Sequence, residues 1–253
     1  MNRLNLRIMI LLLGINISNF LVCDEKADLF IAISFKGASF DSLRKQLGQD
    51  QAKISKASSY KGYQFDQIIE PKDLHVTIET IRDIDIADIP KYKKCIHQVA
   101  SNIEAFDAAP YIQKSVFDIW NHGRTWGILR FETPSKSGFS RLARQVRHCL
   151  KQTGLQVGIY DDYSAHISLG IFTDKQYPLP SNKNLSWVPD VSIDLNNETA
   201  VVAQIYLRIR KHVENKKTGI KSLKNSYHYY NLKKSSKIKH KDASEEKSWC
   251  AIM

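Results

Sequence analysis

Leu74-His75-Val76-Thr77-Ile78 returns further along the chain as Ala165-His166-Ile167-Ser168-Leu169. Both stretches run apolar, histidine, apolar, hydroxyl, apolar. Side chains of an extended strand alternate between its two faces, so His75 and Thr77 share one face while Leu74, Val76 and Ile78 root the strand from the other. The same holds for His166 and Ser168 among their apolar neighbours. None of the other six histidines (His97, His122, His148, His212, His228, His240) has a serine or threonine two residues on. One such pair says little, and its plain reading is a satisfied strand histidine without chemistry. Two pairs, each within a β-branched apolar run, carry more.

Working outward, the chain reads as two similar segments. Residues 27–35 predict a buried strand and 40–54 an amphipathic helix with Asp41 and Ser42 near its start. A polar loop with Gly62 follows, then the strand bearing His75. Residues 89–106 predict a helix, opening with Pro90 and placing Tyr92, Cys95, Ile96, Val99, Ile103 and Phe106 at helical spacing. Residues 111–120 and 126–132 predict two strands around the turn Asn121-His122-Gly123. Residues 140–152 predict a helix stopped by Gly154, and 157–160 and 165–172 two strands about an acidic turn. A connection rich in Pro, Asn and Ser spans 177–195, and 199–209 predict a last strand. The repeated order suggests a degenerate duplication, hence an α+β fold of two pseudo-symmetric lobes. Antiparallel sheets would line a central cleft, with helices outside.

The chain has 253 residues, 43% hydrophobic and 25% charged, which suits a globular protein. Its formal net charge of +11 suggests nucleic acid until it is located. From Arg208 to Lys247 there are 13 Lys and Arg against 4 Asp and Glu, so the basicity lies near the C-terminus rather than around the histidines. After Ser222 the apolar content falls and a mobile tail is predicted. The division is therefore a leader over 1–23, a domain over 24–222 and a basic flexible tail over 223–253. Of the four cysteines, Cys95 and Cys149 fall in helical patterns and read as buried apolar residues. Cys95-x-His97 and His148-Cys149 invite a zinc reading, but neither spacing recurs and there is no HExxH, so no metal or cofactor is expected.

The two ends point in different directions. Arg3 and Arg7 precede the apolar run of residues 8–17, the layout of a secretory signal peptide with cleavage near Cys23, or of an uncleaved anchor. The last four residues, Cys250-Ala251-Ile252-Met253, match a CaaX prenylation signal at Cys250, with upstream lysines to hold an anionic membrane surface. Prenylation belongs to a eukaryotic cytosol and a cleaved leader to an exported protein. The expectation is membrane association or export, with the side of the membrane open.

Two imidazoles with ordinary pKa values near 6.5 can serve one as base and one as acid near neutral pH. Thr77 and Ser168 would donate to the nonbridging oxygens of a phosphodiester. The paired pattern resembles the 2H phosphoesterase superfamily, named for two His-x-Thr/Ser motifs facing each other across a cleft. That resemblance covers roughly residues 27–210. It implies a bilobal fold, catalytic His75 and His166, and action on 2′,3′-cyclic phosphates or RNA phosphodiesters, some members taking 2′-5′ linkages. The stretch from Tyr160 to Leu169 resembles the branch that trims the oligouridine end of spliceosomal U6 RNA, in which a tyrosine six residues before the histidine lines the nucleotide site. Tyr160 stands at that position. Arg124 with Trp126 suggests a clamp for phosphate and base, whereas Tyr206 and Arg208 read as structural or tail residues.

The expected activity is thus a metal-independent phosphodiesterase, a monomer, with RNA or a nucleotide as its substrate. The alternatives are a catalytically silent, membrane-tethered nucleotide-binding module and a tethered interaction protein acting through its basic tail.

Overall fold

The computed structural model describes residues 26–35, 40–59, 65–121, 125–158, 163–172, 193, 199–214 and 221–235. The leader, Cys23, His122 to Arg124, Tyr160, the connection except Ile193, and Cys250 lie outside these residues.

Strand β1 (Lys26–Ser34) buries Ala27, Leu29, Ile31 and Ile33, the alternation its sequence predicts. Helix α1 (Asp41–Ser59) buries Leu43, Leu47 and Ile54, and its buried Gln51 donates to the carbonyls of Ile69 (2.7 Å) and Leu169 (2.8 Å). Then come β2 (Phe65–Ile68), β3 (His75–Asp85) and α2 (Ile89–Asn102), which carries Pro90 in its first turn, where a missing N–H costs nothing. Next are β4 (Phe106–Asp107), α3 (Ala109–Ile112), β5 (Val116–Asn121) and β6 (Thr125–Arg130). Helix α4 (Gly138–Gln152) is capped by Ser137, whose hydroxyl accepts from the Ser140 N–H at 3.1 Å. It stops ahead of Gly154, whose φ of 67° is open to glycine at little cost. Strands β7 (His166–Phe172), β8 (Val201–Val202), β9 (Gln204–Glu214) and β10 (Lys221–Asn231) complete the chain.

The main sheet has eight strands in the order β10-β9-β1-β3-β7-β6-β5, with β2 also on β7, and its ladders are antiparallel. It divides into two halves joined between the histidine strands by the pair Val76↔Ile167. Each histidine strand carries a bulge at the same offset. Between Thr77 and Glu79 on β3, and between Ser168 and Gly170 on β7, one extra residue, three places after the histidine, breaks the register with the neighbouring strand. The duplication predicted from the two motifs thus extends to backbone geometry, and the mixed fold with antiparallel sheets is as expected.

The helices tie the halves together. Cys95 on α2 and Cys149 on α4 form a disulfide, their Cα atoms 6.0 Å apart. Both are buried, as predicted, but they are also bonded to each other, which sequence spacing does not disclose. In the lining of the cleft, Arg147 of α4 donates from Nε to Glu79 of β3 at 2.6 Å, and the Thr80 N–H donates to the same carboxylate at 3.1 Å. Gly158 passes so close that a Cβ would lie 2.1 Å from the Glu79 carboxylate oxygen.

Several element boundaries differ from expectation. The helix from Ile89 ends at Asn102, and Phe106 pairs instead with Val202 in a two-stranded sheet. Tyr111 and Ile112 are helical, because Asp107 accepts from the Ala109 N–H at 3.0 Å and Pro110 favours a first turn. Val157 and Gly158 are outside any strand. The last strand is broken at Ala203, where the chain leaves β4 for β1 and β10. Most consequentially, the region predicted as a flexible tail from 223 holds β10, paired with β9 from Lys221↔Glu214 to Asn231↔Gln204. Its composition is poor in aliphatic residues, but the ladder satisfies its backbone, and Leu232, just beyond the strand, is buried in the core. Among the described residues, no helix is long and apolar enough to cross a membrane.

Candidate active site

His75 and His166 each stand first on their strands, facing a cleft of about 1310 Å³ with Thr77 and Ser168. The antiparallel pair Val76↔Ile167 crosses the two motifs: its register sets His75 opposite Ser168 and Thr77 opposite His166. Imidazoles occupy one diagonal of a square and hydroxyls the other. The histidines are also held alike. Nδ1 of His75 donates to the Asp73 carbonyl at 2.9 Å, and Nδ1 of His166 to the Ser164 carbonyl at 2.9 Å. A carbonyl only accepts, so both neutral rings take the Nδ1–H tautomer, with the lone pair on Nε2.

Burial pushes the pKa of His75 below its ordinary 6.5; the Asp73 bond opposes this, while the positive charges of Arg208 and His166 add to it.

The walls differ. Trp120 lies against His166 with ring centroids 4.4 Å apart, and Trp126, its cross-strand partner, lines the same side of the cleft with Ile128 and Ile171. On the other side Tyr206 meets His75 edge-on at 6.4 Å, and burial pushes its hydroxyl pKa up to about 12. Beyond it are Phe30, Arg208, Arg210, Tyr227 and Tyr229.

No family model and no curated protein matches the sequence. Solved structures do match. LigT from E. coli, in its apo form, superposes with a TM-score of 0.50 at 15% identity over 82% of this chain and 98% of its own. TT0787 from Thermus thermophilus superposes with a TM-score of 0.50 at 18% identity, covering 81% of this chain and 97% of its own. Both are 2H phosphoesterases. The fold of this chain is the 2H phosphoesterase fold.

Within that 2H fold, the structure brings together His75, Thr77, His166, Ser168 and Trp126 of the residues singled out from the sequence. Tyr160 and Arg124 fall outside the described residues. Tyr206 and Arg208, read from the sequence as structural or tail residues, line the cleft instead, because β9 turns its even-numbered positions towards it. Trp120, Arg210, Tyr227 and Tyr229 also line the cleft and were missed. The signal was there in the period-two alternations Tyr206-x-Arg208-x-Arg210 and Tyr227-x-Tyr229, hidden by a composition that resembled a tail.

Proposed function

We propose that this chain is a phosphodiesterase acting on RNA ends or 2′,3′-cyclic phosphates, with paired histidines and without a metal. The crossed register of the two motifs carries the reading. A phosphate seated over the Val76–Ile167 pair meets a nitrogen base on one side, an acid on the other and two hydroxyl donors between them. His75 is the base, because burial and the neighbouring positive charges keep it neutral. It takes the proton of the attacking oxygen, a ribose 2′-hydroxyl. As the new P–O bond forms, the bond to the leaving oxygen breaks, and a protonated His166 gives that oxygen its proton. The rings end with their protonation exchanged, and hydrolysis of a cyclic product runs the same roles in reverse. Thr77 and Ser168 donate to the nonbridging oxygens as charge gathers there.

The test is hydrolysis of 2′,3′-cyclic UMP and a short oligouridine by the full chain in EDTA, beside His75→Ala and His166→Ala. Turnover that survives EDTA and falls by about 10²–10⁴-fold in each variant is expected. Turnover that EDTA abolishes, or that both variants keep, would sink the proposal. Folded protein that binds nucleotide without turnover would favour the silent binding module.

For the compartment we propose export, since a disulfide such as Cys95–Cys149 persists where the surroundings are oxidising. Alkylation of protein taken directly from its own cells should leave both cysteines unmodified until reductant is added. Free thiols at both positions would return the weight to a cytosolic, prenylated protein.

A further inference from the structure

The wall beside His75 is larger and more charged than a cyclic mononucleotide requires. Strand β9 turns Tyr206, Arg208 and Arg210 to the cleft, and β10 sets Tyr229 beside Tyr206 and Tyr227 beside Arg208. The Tyr206 ring lies 5.9 Å from that of Tyr229 and 6.1 Å from that of Tyr227, so aromatic faces lead outward from the histidine. Tyr227 and Tyr229 are 49% and 45% exposed, although they belong to a paired strand. The guanidiniums of Arg208 and Arg210 lie 4.2 and 4.9 Å from the centroid of the Phe30 ring, which holds both side chains on the cleft face. Each has a buried Nε without a hydrogen-bond partner, and among the described residues neither pairs with a carboxylate. Asp28 is the cross-strand neighbour of Arg210 but bonds the Asp83 N–H and His212 instead, so both guanidiniums remain outside any ion pair where the cleft opens. Two residues apart on one strand, their Cα atoms are roughly 7 Å apart, and both guanidiniums gather about the one Phe30 ring.

Exposed rings for bases and guanidiniums outside any ion pair for phosphates together make a single-strand site. We propose that the β9–β10 face is a binding track for the nucleotides flanking the scissile phosphate. The substrate is then a single-stranded RNA oligonucleotide rather than a free cyclic nucleotide. The inference rests on the phosphodiesterase reading for its chemistry but not for its binding.

The full chain is assayed for kcat/KM on hexauridylate and on 2′,3′-cyclic UMP, and the ratio of the two is followed. In Arg210→Gln, and in the double variant Tyr227→Ala with Tyr229→Ala, the ratio should fall about tenfold or more, with Arg210→Lys falling less. Fluorescent hexauridylate binding is measured in parallel on a His166→Ala background. There the same changes should raise Kd, and Arg210→Gln should flatten the log–log salt slope by about 0.7. Should the tyrosine double variant unfold, Arg210→Gln, which leaves every ring in place, decides alone. Histidine-dependent turnover with an unchanged ratio and Kd overturns the track. Weakened binding in the variants, with no turnover of either substrate by the parent, upholds the track and overturns the phosphodiesterase. Binding to phosphatidylserine vesicles but not to hexauridylate, weakened by the same changes, overturns the track in favour of a lipid surface.

Discussion

Around His75 the cleft wall is built from β1, β9 and β10 and offers Phe30, two arginines and three tyrosines. Around His166 it is built from β5 and β6 and offers Trp120, Trp126 and Ile128. Yet the histidine strands at the centre match in the ring-to-carbonyl bond, the hydroxyl two residues on and the bulge three residues on. The difference follows from what each part depends on. The centre depends on backbone register, where a slip of one residue would turn both motifs into the core. The walls depend only on which side chains occupy exposed positions of intact strands, so they diverge without cost to the fold.

The hardest way to break the comparison is at the centre. If the two histidines act as one device, His75→Ala and His166→Ala each lose about 10²–10⁴-fold in kcat, and the double variant loses little more than the worse of the two. Rate losses that multiply in the double variant would mean that the halves work independently. Next in size is the pin between halves. Glu79 is 4% exposed and rests on Arg147, so Arg147→Met strands a carboxylate in the interior and should cost about 3–5 kcal/mol in denaturant unfolding. A cost within error would show that the ion pair contributes nothing to joining the two halves.

How much of this was legible follows the same division. Period-two patterning around His75 and His166 was enough to specify two strands and the face each motif shares, because burial on one side makes alternation strict, while the meeting of the motifs rested on the resemblance to the 2H superfamily. The crossed register was not legible, since it is set by the pair Val76↔Ile167 between strands distant in sequence. Nor was β10: Lys221 to Asn231 has only Leu223 among aliphatic residues, and its strand state comes from the ladder with β9 rather than from local preference. With β10 read as tail, Tyr206 and Arg208 lack the neighbours that reveal them as cleft residues. Cys95 and Cys149 were legible as buried but not as partners, because the packing of α2 on α4 decides which cysteines meet.

A smaller effect sharpens the likeness of the halves. Thr77→Val and Ser168→Ala each remove one donor to the phosphate, and a single such donor is worth about 10²-fold in kcat. Because the two hydroxyls occupy equivalent corners, their losses should agree within several-fold on 2′,3′-cyclic UMP. A loss confined to one of them would mean that the phosphate sits against one motif alone, and the pseudo-symmetry would then be a property of the fold and not of the chemistry.

The smallest effect bears on the charge by which one wall reaches the centre. Arg208 adds to the burial that lowers the pKa of His75, whereas on the tryptophan wall the arginine opposite His166, Arg130, is ion-paired with Asp118. A base works in its neutral form, so with His75 as base towards the 2′-hydroxyl of hexauridylate the rate falls as pH drops through its lowered pKa, and the acid limb of kcat/KM on that substrate lies below the ordinary 6.5. Replacing Arg208 by Gln removes a positive charge that disfavours imidazolium. The pKa of His75 must then rise towards its ordinary value, and the acid limb must move to higher pH. Arg208→Lys keeps the charge and should leave the limb near its original place, even if it weakens binding. Because burial is the larger cause, the movement is only part of the total depression. A limb that shifts equally in the Gln and Lys variants would trace the effect to packing against Phe30 instead. A limb that moves in neither would remove His75 from the role of base and leave it to His166, reversing the assignment while keeping the pair.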